Sequence, residues 1–476
     1  MTDYPIDEIF RRAKLGEQAV YPPKDEFGYN VFGADVYTRP RRFLLLDDIV
    51  LLPPQFTPER LEKGIELLRE PLYTDVSSET SVGGFRVRMP VVCAAMGGTH
   101  IANLIGPKIA RGCAEMGVVY SLGENIAAIR GYDERLTKQP SFKERALAYL
   151  ENLKDGYGGL VIQQSVEDEN LKLWEKVYTD PDFDRYVEEG LIAFEIKAGQ
   201  GAKPGLGGEV LVSREVALRI KDHYYIPEDP EKVVKDYYER HSAPGTFTED
   251  ILASQIRLIK NNFPRVKVFL KTGPYRDLDR VIEIASREGV DAITIDGKEG
   301  GTGMSPIAGM RDLGLPTVAC LGAITRARDR EIRTSLIISG RLYDGSHVVK
   351  SLALGASAVA FGRPLVYACM GSIPLAPTFI RRELFRNPLL RELGKIALRW
   401  GVRGEGCTKG VVNYLKSVEN EIKMLTSALG KYHMDRLSKE DVGALNRDLA
   451  ELFRIRYVYS APEAPEKVIQ RGIELS

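Results

Sequence analysis

The chain has 476 residues, 44% of them hydrophobic, and 66 Lys plus Arg balance 66 Asp plus Glu for a formal net charge of zero. That length exceeds one small domain and suits a barrel with extensions, while balanced charge without a polybasic run argues against nucleic acid as a partner. No stretch reaches the roughly 18 apolar residues of a bilayer span and the N-terminus lacks the apolar core of a signal peptide, so no membrane contact and a cytoplasmic location are expected.

In chain order, residues 1–79 read as an extension packed on the barrel, because they carry too little apolar surface for a core of their own. Within them, Phe43 to Leu52 is a strongly apolar run and 59–69 a short amphipathic helix. From residue 80 to 370, apolar runs alternate with helical patterns. Eight candidate strands lie at 91–95, 118–121, 159–163, 191–197, 266–271, 291–295, 335–339 and 358–362. Helical patterns separate them at 102–116, 214–222, 248–262, 277–288, 305–312 and 346–354. Eight such units predict an α/β fold, a (β/α)8 TIM barrel, rather than an open doubly wound sheet. One further apolar run, Thr317 to Leu321, and the stretch 140–155 do not fit this count cleanly.

The polar segment 222–247 holds Pro227, Pro230 and Pro244 and reads as an insertion on the active-site side, with a short helix at 230–241. It is either a lid or surface padding. Residues 371–476 read as a C-terminal helical extension, with helices at 376–400, 409–430 and 438–453 and an extended arm at 460–476. Five scattered cysteines, Cys93, Cys113, Cys320, Cys369 and Cys407, form no Cys-x-x-Cys pair and fit buried thiols in a reducing compartment. The five histidines show no metal spacing, so they read as surface or capping groups and no metal is expected.

Chemistry concentrates at the strand ends. Asp296 to Pro306, DGKEGGTGMSP, follows the sixth strand, and its Gly297, Gly300, Gly301 and Gly303 let backbone approach a ligand. Gly340 and Arg341 follow the seventh strand, and Gly362 and Arg363 the eighth. In barrels those two loops often cradle phosphate through backbone N–H groups, with arginine adding a charge clamp. The competing reading is two tight turns. Glu195 to Gly208, EIKAGQGAKPGLGG, sets Lys197 and Lys203 around Gln200 in a glycine-dense loop, as a flat ring beside an anionic substrate would require. A solvated lysine pair is the alternative. Lys271 ends the fifth strand, where alternation puts it on one face with Lys267 and Phe269, and it would stabilise negative charge on a flavin. Met96, Gly97 and Gly98 end the first strand as a small-residue loop over such a ring, and Glu124 ends the second in the same mouth.

The stretches EIKAGQGAKPGLGG, DGKEGGTGMSP and SGRLYDGSHVVKSLALGASAVAFGRPL resemble the FMN-binding synthase domain of glutamate synthase. The resemblance implies FMN at the barrel mouth and reduction of 2-iminoglutarate, made from 2-oxoglutarate and ammonia, to glutamate. By motif position, Lys197, Gln200 and Lys203 lie near flavin and substrate, Gly300, Gly301 and Thr302 take the GGTG positions, and Gly340, Arg341, Gly362 and Arg363 fall in the phosphate stretch. The chain departs from the family in three places. Asn125 stands where the family has glycine after the glutamate matched by Glu124, and Arg341 where it more often has glycine. The family's three cluster cysteines reduce to Cys369, with Leu375 and Ile380 near the other two positions. One thiolate cannot hold a three-iron cluster. With no glutamine-hydrolysing part in view, the resemblance implies free ammonia or methylamine, or a separate amidotransferase, and a separate electron-donor protein. An N-methylglutamate synthase subunit and a non-catalytic FMN-barrel scaffold are the alternatives. Homo-oligomer formation through the C-terminal helices is a further expectation.

Overall fold

Side-chain alternation along the apolar runs decides the architecture. In the computed structural model, which describes residues 6–22, 44–201, 203–243, 245–302, 305–373 and 387–460, strands are numbered in chain order. β1 (Ile49–Leu51) stands outside the barrel, and β2 (Thr80–Val82) and β3 (Phe85–Val87) make a hairpin. β4 (Val91–Met96), β5 (Val119–Leu122), β6 (Leu160–Gln164) and β7 (Ile192–Lys197) begin the barrel. After β8 (Val210–Ser213) and β9 (Tyr237–Arg240), it resumes with β10 (Lys267–Thr272), β11 (Ala292–Asp296), β12 (Ser335–Ser339) and β13 (Ala358–Phe361). The eight barrel strands are parallel, and β13 pairs with β4 to close the ring. All eight expected strands are therefore present, and the fold is a (β/α)8 barrel.

Val92, Val119, Val161, Ala193, Phe269, Ala292, Ile337, Ala358 and Ala360 form one inner cluster with Val82, Phe85 and Val87 of the β2–β3 hairpin. The hairpin plugs the barrel at that level. The small alanines leave room for Phe85 against Phe269, with ring centroids 5.7 Å apart. Residues of the opposite parity, such as Val91, Cys93, Val268 and Leu270, belong to the larger outer core shared with the helices. A period of two then fixes what stands above the plug: Gln163 over Val161, Glu195 over Ala193, Lys271 over Phe269 and Thr294 over Ala292. The barrel interior is thus apolar below and polar towards the strand ends.

The ambiguous runs resolve as helices, Phe142–Leu150 and Thr317–Asp329. Two expected helices fail. Instead of a helix at 230–241, Tyr237–Arg240 forms β9, antiparallel to β8, because its side chains alternate exposed and buried and aromatic residues suit a strand. Instead of a helix at 438–453, a 3-10 turn at Lys439–Asp441 leads into β14 (Val442–Ala444), and the helix Arg447–Phe453 starts only after the Asn446 cap. There β1 takes the backbone of β14 in antiparallel register, Ile49 opposite Ala444, and β15 (Arg456–Tyr457) adds a third strand. The apolar run at Phe43 to Leu52 is thus partly a sheet strand far from the barrel in topology, Phe43 itself lying outside the described residues. The helix Gly406–Ala428 packs on the helices His100–Glu115, Gly345–Ala353 and Arg363–Gly371. Residues 376–386 of the expected helix at 376–400, Leu375, Ile380, Gly303 and the arm at 461–476 lie outside the described residues, while Pro388–Gly401 is helical. All five cysteines are buried free thiols. Among the described residues no helix is long and apolar enough to cross a membrane.

Candidate functional site

The C-terminal strand ends open into a cavity of about 940 Å³. Met96, Gly97, Gly98, Glu124, Gln200, Lys203, Lys271, Gly300, Gly301, Thr302, Gly340, Arg341, Gly362 and Arg363 all line it. Lys197 is not in the lining, and its Nζ instead pairs with Glu124 Oε1 at the edge. Segments spread over more than half the chain thus converge on one mouth.

The first wall is the end of β4. Its carbonyls are held by two guanidinium groups: Arg145 donates to Met96 O at 3.0 Å and Gly97 O at 3.1 Å, and Arg130 to Gly98 O at 2.9 Å. A Cβ on Gly97 would lie 2.5 Å from Glu124 O, so the small-residue loop is required where β4 and β5 end against each other. Asn125, in the position where glycine was expected from resemblance, has φ of 65°. Asparagine is among the few side chains that tolerate this left-handed region. Its N–H donates to the buried Asp168 carboxylate at 2.8 Å, which fixes the turn.

The second wall joins the loops after β7, β11 and β13. Gly201 N–H donates to Asp296 Oδ2 at 3.0 Å, Gln200 Nε2 to Gly301 O at 3.1 Å, and Arg363 Nη2 to Glu299 O at 3.1 Å. A Cβ on Gly201 would meet Gly297 O at 2.2 Å. Glycine at this position is thus demanded by a neighbouring loop, where the sequence suggested pressure from a planar ring. Gly340 and Arg341 both have positive φ, 128° and 55°. Arginine therefore occupies a backbone conformation that suits glycine, and its Nη1 lies 3.9 Å from Asp47 Oδ2. Gly362 precedes the helix Arg363–Gly371, whose first turn carries Pro364 and offers N–H groups to the cavity.

Charge is dense in the mouth. Burial pushes the Glu124 carboxyl up, but Lys197 and Lys203 outweigh it and hold the group at about 2. Burial, then the Lys197 charge, push the Lys203 ammonium well below the usual lysine range, against the pull of Glu124. Lys271 stands 3.8 Å from Asp296 Oδ2, both side chains 4% exposed. Below them, burial raises the Glu195 carboxyl despite Lys271, Gln163 and Thr294, with Gln163 donating at 2.6 Å. The mouth can hold an extended anion, a flat polar ring and a small carboxylate together.

Several lining residues escaped the sequence reading. Arg130, Asp296, Ser339, Tyr367 and Tyr414 join the wall, as do Tyr224 and Arg240 from the insertion at 222–247 and Val210, Val212, Val216, Arg219 and Ile220 from the segment just before it. The insertion is therefore a cover on the cavity. His100 also lines it, at the start of its helix, and burial followed by Arg130 lowers its imidazole to about 4. Neither it nor the buried His347 is a surface group; both lie in the first turn of a helix, the capping place that was the other expectation for histidine. Behind the wall, Arg145 also escaped the sequence reading, although a cation on the apolar face of its helix was a signal.

Residues 184–373 match the family model described as the conserved region in glutamate synthase. A glutamate synthase large subunit-like protein of Rhizobium meliloti is 26% identical over 289 residues, 55% of this chain and 61% of that protein. An archaeal glutamate synthase [NADPH] of Archaeoglobus fulgidus is 27% identical over 388 residues, covering 77% of this chain and 62% of the relative. Its counterpart in Methanocaldococcus jannaschii reaches 31% over 189 residues, 39% of this chain and 36% of that one. The matched part spans less than two thirds of each of these relatives. Among solved structures, a flavocytochrome b2 variant with sulfite bound superposes with a TM-score of 0.52 at 16% identity, covering 98% of this chain and 96% of the other, which shows the shared barrel fold. The region 184–373 is a glutamate synthase-like domain.

Proposed function

We propose that this chain, whose residues 184–373 carry the conserved region in glutamate synthase, binds FMN across the barrel mouth and reduces 2-iminoglutarate, formed from 2-oxoglutarate and ammonia, to glutamate. The observation that carries the reading is the convergence of Gly340, Arg341, Gly362 and Arg363 with Lys197, Lys203, Gln200 and Lys271 at one rim. The cavity is at the upper end of the roughly 300–1,000 Å³ usual for small-molecule sites, which suits a cofactor with substrate. Asp296 Oδ1 is buried without a hydrogen-bond partner, an acceptor suited to an N–H of a bound ring.

The loops after β12 and β13 would hold the phosphate through backbone N–H groups and the two guanidinium groups. The glycine ledge at Gly97 and Gly98, with Lys271 and Asp296, would bracket the ring. When bound, the flavin supplies a hydride to an electron-poor carbon. Lys203 receives a carboxylate of the substrate as a charge-assisted hydrogen-bond donor. Gln200, tethered to Gly301, keeps its amide oxygen for an N–H of the substrate. The cover over the mouth excludes water from the reacting carbon.

Residues 80–370 form the catalytic unit in this proposal, flanked by the extensions 1–79 and 371–476, with a separate electron donor and nitrogen source as partners. Methylamine in place of ammonia is a second reading, supported by the apolar cover side chains Val210, Val212, Val216 and Ile220. The test is anaerobic. The purified protein is loaded with FMN, photoreduced, and mixed with 2-oxoglutarate plus ammonia or methylamine. Reoxidation with formation of glutamate or N-methylglutamate is expected. A protein that takes up no FMN, or whose reduced flavin stays reduced with both amines, refutes the proposal.

A further inference from the structure

The helix Gly406–Ala428 meets the helix Arg363–Gly371 at backbone contact. A Cβ on Gly410 would collide with Ala368 O and Ser372 Oγ, and one on Gly406 would lie 3.3 Å from Ser372 O. Cys407 stands between those two glycines, and Cys369 between Ala368 and Ser372, so the crossing sets the two thiols against each other. Each is the largest influence on the other's proton affinity: Cys369 is pushed up, and Cys407 is held below the usual thiol range against burial, with the Lys108 charge adding to the pull. Cys407 also lies in the first turn of its helix, where unpaired N–H groups favour a thiolate. Both thiols are buried, but Arg403, Gly404 and Glu405 just before Cys407 are exposed, so only a thin layer separates it from solvent.

Cys93 and Cys113 are also neighbours, yet burial dominates there. The long C-terminal helix closes over them, with Val411 2.7 Å from where a Cβ on Gly112 would stand. We infer that Cys369 and Cys407 are a modification site, a dithiol that a peroxide converts to a disulfide, stapling the helix after β13 to the long C-terminal helix. The Cys407 thiolate attacks one peroxide oxygen, the O–O bond breaks, and the leaving hydroxide takes a proton to become water. Cys369 then attacks the sulfenic sulfur; the S–S bond forms, the S–O bond breaks and a second water leaves. The two thiols lose two electrons and two protons, and the peroxide is reduced by them. The disulfide closes a loop of roughly 40 residues, which restrains the unfolded chain. It also ties down the helix whose first turn lines the cavity.

The full chain, loaded with FMN and kept dark, is treated with hydrogen peroxide and then with an alkylating reagent. Three of the five thiols should remain titratable after unfolding, and peptide mapping should recover Cys369 linked to Cys407. Thermal melting should rise by about 3–8 °C and fall back on addition of dithiothreitol. Cys407→Ser should form no link and show no rise; Cys369→Ala gives the same comparison should the first variant not fold. All five thiols still titratable, a link between Cys93 and Cys113 in place of Cys369 and Cys407, or a melting rise that persists in Cys407→Ser overturns the assignment. A Cys369–Cys407 link that leaves melting unchanged overturns the stapling role.

Discussion

Replacing Glu124 by glutamine tests whether the mouth is electrostatically built. The Glu124 side chain is 13% exposed and paired with Lys197, itself 10% exposed. Lys197 and Lys203 overcome burial to bring the carboxyl from 4.5 to about 2. At about 1.4 kcal/mol for each tenfold change in proton affinity, that drop corresponds to about 3 kcal/mol of stability. The sign follows from the depressed value: the contribution is complete above the unfolded carboxyl range near 4.5 and is lost as pH falls through about 2. Urea denaturation at pH 7 should show Glu124→Gln destabilised by about 3 kcal/mol, and the gap should shrink to about half near pH 3. Lys197→Met alone strands the buried carboxylate and should also be costly. The double variant should lose much less than the two single losses combined, because the pair vanishes together. A Glu124→Gln protein within about 0.5 kcal/mol of wild type at pH 7, or a gap that does not change with pH, refutes the reasoning.

Other outcomes follow from neighbouring geometry. Gly97→Ala puts a Cβ 2.5 Å from Glu124 O, so it should cost about 1–3 kcal/mol and weaken FMN affinity, measured by flavin fluorescence on titration. Arg341→Gly relieves a residue at φ 55°; thermal melting of the flavin-free protein should show no loss of stability, while FMN affinity falls by about tenfold from the missing cation. Because burial first, and then Lys197, depress Lys203, carboxylate binding should take up a proton at pH values between its depressed value and the ordinary lysine range. Calorimetry in buffers of different ionisation enthalpy reads that uptake, and affinity should fall as pH rises through the same interval.

Local periodicity was enough to place the barrel and most of its rim. Alternation in Lys267, Phe269 and Lys271 is a local property of an extended chain, and it survives folding unchanged. A glycine-bearing turn after the sixth, seventh and eighth apolar runs marks where those strands must stop, so Gly300, Gly340 and Gly362 could be placed at one end of a sheet before any contact was known. Tertiary structure decided what those loops face. Gly201 answers to Gly297 and Gly97 to Glu124, and no spacing along the chain reveals such approaches. The insertion shows the same division more sharply. Read locally, 230–241 suggested a helix; pairing with β8 made Tyr237–Arg240 a strand and carried Arg240 to the cavity wall. Likewise β14 is a strand because β1 lies beside it. Periodicity is written within a few residues, whereas a cavity wall depends on hydrogen bonds between segments that are remote along the chain.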